Sequence, residues 1–452
     1  MRIIIIFLLM ICLCPPALAG VPKNIIIMIA DGTGFNHIDA VSLYQNGKTG
    51  TQVYEDFPVK LAMSTYMLGG RYVSAEVWQD FDAVMKSYTD SAAAATAMST
   101  GIKTYKGMIG VSLSDPTLKH LMALHEEEGK MSGLVTSVPL SHSTPAGFVA
   151  HNISRNHYKA IAKEMLEESA LDVIMGCGHP YYDRDGLLIE GKPNPFDYVG
   201  GRKIWDRLID DDPGNNPGKD ADQDGKPDPW TLIQTRAEFQ SLMTGPAAAR
   251  VLGVPQVYRT LQQERGVAPH AKPFAEPLIE TVPTLAEMSR AALNILDEDP
   301  DGFVLMIEGG AVDWTGHCNQ SGRMIEELID FNRSVEAVVD WVEGSSSWEE
   351  TLLIVTADHE CGFLYGPDSG NEKPFWRPLI NNGKGKIPGM RWYSRSHTNF
   401  LVPFYAKGVN AEEFFNQTVG RDAVRGPYLD NTAINRVCRP APKIIPTAVQ
   451  KD

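Results

Sequence analysis

The chain has 452 residues, a formal net charge of -15, and 43% hydrophobic against 21% charged residues. That composition supports a large globular core, and the acidic balance argues against nucleic acid as a main partner. It also repels anionic ligands, so any phosphate site needs concentrated local positive charge. Residues 1–19 read as a secretory signal peptide. Arg2 starts it, Ile3 to Leu13 is apolar, Pro15-Pro16 breaks the run, and Ala17-Leu18-Ala19 supplies a small-residue cleavage site. The apolar run falls short of the ~20 residues a span requires, which predicts an exported periplasmic or secreted protein with no stable membrane span.

Ile25 to Ile29 predicts a buried strand ending in Asp31-Gly-Thr-Gly. Next comes Thr89-Asp90-Ser91 ahead of an alanine-rich helix, with Asp90 or Ser91 as its N-cap. A serine there lies beside free backbone N–H groups and the positive helix end, a setting that suits a bound anion. Thr117 to Glu128 predicts a helix stopped by Gly129, and Ser132 to Val138 a strand. Its end brings His142 and Thr144 to the same rim. Arg155 opens a helix predicted to reach Glu168, followed by a strand over Leu171 to Met175. Its planar fork suits phosphate oxygens, although an isolated arginine is often a surface residue.

The stretch Asn194 to Trp230 is rich in Asp, Gly and Pro and reads as an irregular surface insertion. Within it Asp220, Asp222, Asp224, Lys226 and Asp228 are spaced like a calcium loop. Thr231 stands where a full EF-hand has glutamate, so a Ca2+ site and a solvated acidic loop both remain open. Thr284-Leu-Ala-Glu287 is a capping box that opens a helix to about Leu296. Phe303 to Ile307 is a buried strand ending at Glu308. Asp313 and His317 follow, four residues apart and so aligned on one helical face. Leu352 to Val355 ends in Asp358-His359. Gly362 to Ser396 predicts a loop or small lobe over the site mouth, and His397 comes after it. The remaining histidines, at 37, 120, 125, 151, 157, 179 and 270, read as ordinary polar residues.

The alternation of strands and helices predicts an α/β fold. Its form is a three-layer α/β/α sandwich with a large, mostly parallel central sheet and surface insertions. Residues 20–452 form one domain, with insertions at about 194–280 and 362–396. Carboxylates and imidazoles at three strand ends suggest one polymetal site, because ligands in open α/β sheets bind beyond the carboxyl ends of strands. Removing the signal leaves Cys177, Cys318, Cys361 and Cys438. These could form two disulfides, Cys318 approaching Cys361, or stay four buried thiols.

Taken in order, these motifs closely resemble the metal-dependent alkaline phosphatases, from about residue 23 to 410. They are Asp31-Gly-Thr-Gly, Thr89-Asp90-Ser91-Ala, His142-x-Thr144-Pro-Ala, Arg155, Glu308-Gly-Gly-x-x-Asp313-x-x-x-His317, Ala357-Asp358-His359-Glu360 and His397-Thr398. The resemblance implies two zinc ions (Zn2+), one held by Asp313, His317 and His397 and the other by Asp31, Asp358 and His359. It also implies a magnesium ion (Mg2+) bridged by Asp31 with Thr144 and Glu308. Ser91 would be the nucleophile that becomes phosphoserine, and Arg155, oriented by Asp90, would bind the phosphate oxygens. The implied substrates are small-molecule phosphate monoesters, and a homodimer is suggested.

Two positions depart from one family pattern. His142 and Trp314 stand where some relatives carry Asp and Lys, which leaves the third site less firmly magnesium and makes His142 a further candidate ligand. The nearest rivals are a phosphodiesterase or a sulfatase-like hydrolase of the same superfamily. Ser91-Ala-Ala-Ala-Ala lacks the Cys/Ser-x-Pro-x-Arg motif of sulfatases. A non-enzymatic rival is an exported calcium-binding structural protein built around the 220–228 loop.

Overall fold

The computed structural model describes residues 21–210, 216, 219, 225–226, 228–370, 372–373 and 375–440. The predicted signal peptide and Asp220, Asp222 and Asp224 of the acidic loop lie outside these residues. Of that loop, Lys226 and Asp228 are described.

The sheet strands run in chain order β1 (Asn24–Ala30), β2 (Val59–Ser64), β3 (Met131–Pro139), β4 (Val173–Cys177), β5 (Thr231–Ile233), β6 (Val251–Gly253), β7 (Phe303–Gly309) and β8 (Thr351–Thr356). Four short strands follow: β9 (Glu360–Cys361), β10 (Leu364–Tyr365), β11 (Arg391–Trp392) and β12 (His397–Thr398). Three more complete the set: β13 (Val402–Gly408), β14 (Thr418–Asp422) and β15 (Gly426–Asp430). Eleven of them make one sheet in the order β14-β15-β2-β13-β8-β1-β7-β3-β4-β6-β5. From β8 to β5 every neighbouring pair is parallel, while β13 runs against both β8 and β2. Among these, β8, β1, β7 and β3 are immediate neighbours. Their carboxyl ends therefore lie side by side.

Each central strand is buried on both faces, as expected for a parallel sheet covered by helices. Ile25, Ile27 and Ile29 of β1 face one core with Ala92, Ala95 and Met98 of the helix Ser91–Thr100. Ile26 and Met28 face the other, against the helices Leu285–Leu296 and Ser321–Ser345. Alternation of side chains along a strand explains why one apolar run serves both layers. The predicted three-layer sandwich is the observed architecture.

Several boundaries shift. The helix expected from Thr117 spans only Leu121–Glu126, because Leu118 N donates instead to Gly110 O. The helix expected from Arg155 spans Tyr158–Glu167; Arg155 N donates to Gly107 O and sits in the turn before it. The strand expected over Leu171 to Met175 is Val173–Cys177. The segment read as an irregular insertion carries the helix Arg202–Leu208, and residues 231–253 supply β5 and β6 at the sheet edge. Residues 362–396 hold the β10–β11 pair and an aromatic cluster built from Phe363, Tyr365, Trp376 and Tyr393. All four described cysteines are free thiols, three buried and Cys318 exposed, so the disulfide alternative is not realised.

Glu327, on the helix Ser321–Ser345, is buried, and its Oε1 makes no hydrogen bond. Burial first, and then neighbouring Asp330, push its carboxyl up to about 8. Its folded-state pKa thus stands above the unfolded value, so the stability tied to its proton is complete below the ordinary carboxylate range. It is lost as pH rises from there to about 8. Glu327→Gln should raise the melting temperature at about pH 9 more than at about pH 5, by the equivalent of a few kcal/mol at most. Thermal unfolding of both proteins across that range checks it.

Candidate active site

The carboxyl ends of β8, β1, β7 and β3 bring Asp358 and His359, Asp31, Glu308, and His142 and Thr144 to one place. Asp313 and His317 project from the helix Ala311–Cys318, which leaves the end of β7. His397 arrives on β12, whose pairing with β9 sets His397 opposite Cys361. Gly32 permits the closest approach: its φ is +73°, and a Cβ there would lie 2.7 Å from the Asp313 Cα. Any side chain at this turn would push the Asp313 helix off the strand end.

Asp31, Glu308, Asp313 and Asp358 are all buried, as is His359. Burial, followed by the nearby Asp358, Asp313 and Glu308 charges, holds the Asp31 carboxyl well above the usual carboxylate range. Burial likewise pushes Glu308 up to about 7 and Asp358 up to about 6. Burial works the same way on Asp313, but His397 and His317 outweigh it and hold that carboxyl well below its ordinary value. Asp31 Oδ1, Glu308 Oε1, Asp313 Oδ1 and Asp358 Oδ2 are buried without a hydrogen bond. Four such oxygens in one pocket cost several kcal/mol unless cations meet them.

The imidazoles point the same way. His397 Nδ1 lies 2.9 Å from Thr89 O and His317 Nδ1 lies 2.7 Å from Arg395 O. A carbonyl can only accept, so both Nδ1 atoms carry the proton. Their Nε2 atoms nevertheless face each other at 3.0 Å. Neutral rings would set two lone pairs against each other at that distance, which a proton or a bound cation on the Nε2 side relieves. Burial lowers His317, but hydrogen bonding and charge from Asp313 outweigh it and raise this imidazole to about 9. Asp313 touches both, its Oδ1 3.3 Å from His397 Nε2 and its Oδ2 3.3 Å from His317 Nε2.

The donor atoms fall into three overlapping groups, each within 4.8 Å: Asp313, His317, Cys361 and His397; Asp31, Asp313 and His359; and Asp31, His142 and Glu308. Asp358 adjoins the second, its Oδ2 3.1 Å from His359 Nε2. Thr144 Oγ1 is 3.5 Å from Asp31 Oδ2, and Thr136 Oγ1 donates to Glu308. Imidazole with carboxylate suits zinc, and a carboxylate and hydroxyl set suits magnesium. The residues fit a multi-metal centre. His142 adds an imidazole to the oxygen-rich group. Burial, and then the charge of Arg155, lower its pKa to about 3, so the ring is neutral and able to coordinate.

Ser91 is buried at the edge of this centre, its Oγ 3.2 Å from His359 Nε2 and 3.4 Å from Asp31 Oδ2. The sequence left Asp90 and Ser91 as alternative caps. Asp90 is the N-cap, its Oδ1 accepting from Ala93 N at 3.1 Å, and Ser91 is the first helical residue. Asp90 Oδ2 also accepts from Gly107 N at 2.9 Å and from Arg155 Nη1 at 3.0 Å. One carboxylate therefore caps the serine's helix and anchors the arginine.

These groups open onto a cavity of about 640 Å3 lined by Asp90, Arg155, Asp313, His317 and His397, and by Lys106, Tyr158, Arg259 and Trp314. The sequence-predicted catalytic and metal residues lie together at this centre, and Asp220, Asp222 and Asp224 of the acidic loop are outside the described residues. Sequence reasoning missed two contributors. Cys361 was weighed as a disulfide partner or a buried thiol and not as a ligand, although it lies two residues beyond His359. Arg259 had no local signal, because only the fold carries it to the cavity.

A family model described as alkaline phosphatase matches residues 22–425. Alkaline phosphatase 3 of Bacillus subtilis (strain 168) is 30% identical over 347 residues, which is 75% of this chain and 61% of that protein. The alkaline phosphatase of Escherichia coli (strain K12) is 26% identical over 414 residues, covering 86% and 82% of the two chains. The solved alkaline phosphatase from the Antarctic bacterium TAB5 superposes with a TM-score of 0.61 at 22% identity, covering 93% and 99%. The chain spans less than two thirds of the length of two Bacillus subtilis relatives it matches.

Zinc added to metal-depleted protein should raise its melting temperature in a concentration-dependent way. Asp313→Asn should weaken zinc binding in a chelator competition by more than the roughly 10–100-fold that losing a ligand's supporting partner costs. Asp90→Ala should lose about 0.5–2 kcal/mol of stability through the lost cap. It should also lower kcat/KM for any anionic substrate that Arg155 holds, separating the two duties of one carboxylate.

Proposed function

The chain belongs to the alkaline phosphatase family, and on that premise we propose that it is an exported, metal-dependent phosphomonoesterase. In this reading it releases inorganic phosphate through a phosphoserine at Ser91. The observation that carries it is the Ser91 hydroxyl at a helix N-terminus, within 3.4 Å of both Asp31 and His359. Asp313, His317 and His397 would hold one zinc, and Asp31, Asp358 and His359 the second. Asp31, Thr144 and Glu308, with His142 beside them, would hold a third ion, for which magnesium suits the oxygen donors. Bound zinc would supply Lewis-acid chemistry, favouring the deprotonated serine and offsetting charge on the departing oxygen.

The residues supply the remainder. Ser91 Oγ forms a bond to phosphorus as the ester P–O bond breaks, and the alcohol leaves with a proton. Water then cleaves the phosphoserine, giving inorganic phosphate and restoring the Ser91 hydroxyl. Arg155, held through Asp90, presents its planar fork to the non-bridging phosphoryl oxygens. The free N–H groups and positive end of the Ser91–Thr100 helix favour the same negative charge. Local cations at one point offset an acidic chain of net charge -15. Export is read from residues 1–19, which precede the domain.

A chromogenic phosphate monoester tests the reading. The metal-loaded enzyme should hydrolyse it, lose activity on chelation and regain it with zinc, and should hydrolyse the matching diester far more slowly. Ser91→Ala should lower kcat by about 10^3-fold or more, as expected for removing a nucleophile. Acid quenching during turnover should trap phosphoserine at Ser91, detected by mass spectrometry. A diester turned over faster than the monoester would favour the phosphodiesterase alternative instead.

A further inference from the structure

Four planar groups adjoin one another in succession along the cavity wall. Arg155 Nη2 lies 3.5 Å from His142 Nε2, and the His142 and Trp314 rings meet edge to face at 5.6 Å. The Arg259 guanidinium carbon lies 4.5 Å from the Trp314 ring centroid. The first is the arginine beside Ser91's helix. The last is a second arginine, two rings on, lining the same cavity. Arg259 is fixed rather than free. It stacks on Trp314, and its Nη1 donates to Glu264 Oε1 at 2.6 Å. Its side chain is still 41% exposed, and a guanidinium carries five donors. A cation held this way beside an indole can hold an anion with little further ordering cost.

We propose that Arg259 forms a second anion subsite, so that preferred substrates carry a second negative group several bonds from the scissile phosphate ester. The inference rests on the phosphomonoesterase reading and narrows its substrate class. The His142 and Trp314 rings come between the two arginines in this succession, which places the second anion several bonds from the phosphoryl group. A carboxylate or second phosphate at the end of a short chain lying along Trp314 spans that gap. In an acidic chain, two arginines lining one cavity also favour a doubly anionic substrate over a singly charged one.

The test compares 6-(phosphonooxy)hexanoate with its methyl ester, which keeps the chain and lacks the distal charge. The metal-loaded enzyme should show about tenfold higher kcat/KM for the free acid, the size of one charge-assisted contact. Shortening the acid's chain to two carbons should remove the preference. Arg259→Gln should bring the ratio of the two substrates near one. The preference should also shrink as ionic strength rises in the unmutated enzyme, a readout that does not depend on the variant folding. Equal rates on both esters in the unmutated enzyme, or a preference that survives Arg259→Gln, would overturn the subsite while leaving phosphomonoesterase activity standing. Hydrolysis of neither ester would instead bring down the underlying reading.

Discussion

Buried negative charge is the constraint around which this molecule is built. Asp31, Glu308, Asp313 and Asp358 lie buried together at the strand ends. Carboxylates brought that close repel each other, and burial removes the hydration that would otherwise tolerate them. The responses differ from group to group. Asp313 is drawn down by two histidines, whereas Asp31, Glu308 and Asp358 are pushed up. The facing His317 and His397 Nε2 atoms, 3.0 Å apart, also need a proton or a cation between them. Bound cations satisfy both at once, which is why the site reads as a metal centre before any chemistry is considered.

Such a pocket needs a scaffold that does not relax. The four strands that feed it are consecutive in the sheet and buried on both faces, so their ends are held in one close-packed layer. Gly32 lets the Asp313 helix sit against the end of β1, and Asn24 to Ala30 anchors that turn through two parallel neighbours. Preorganisation of this kind is what gives fixed charges their value in a low-dielectric site.

Around the centre, single side chains serve more than one purpose. Asp90 fixes the start of the serine's helix and holds Arg155. Asp313 meets both His317 and His397. The outer wall is less committed. Trp314 and Arg259 lie beyond the ligands, where shape and charge can select a leaving group without altering the reacting atoms.

The primary sequence by itself determined the layered α/β architecture. Apolar runs such as Ile25 to Ile29 and Phe303 to Ile307 can be buried only inside a sheet covered on both faces, and each ends in a residue type that water would otherwise claim. It also pointed to carboxylates and imidazoles that the fold brings together, because Asp313 and His317 share a helical face and Asp358-His359 follows a strand. Local pattern could not decide whether Asp90 or Ser91 caps the helix, since either residue type fits that position. Nor could it exclude disulfides or foresee β5 and β6 within a Gly- and Pro-containing stretch. Arg259 shows the limit most clearly: nothing near it in the chain hints at a role. Its place beside Trp314 arises only when the turn after β6 folds back over the sheet end, and contacts between residues far apart in the chain leave no local periodicity to read.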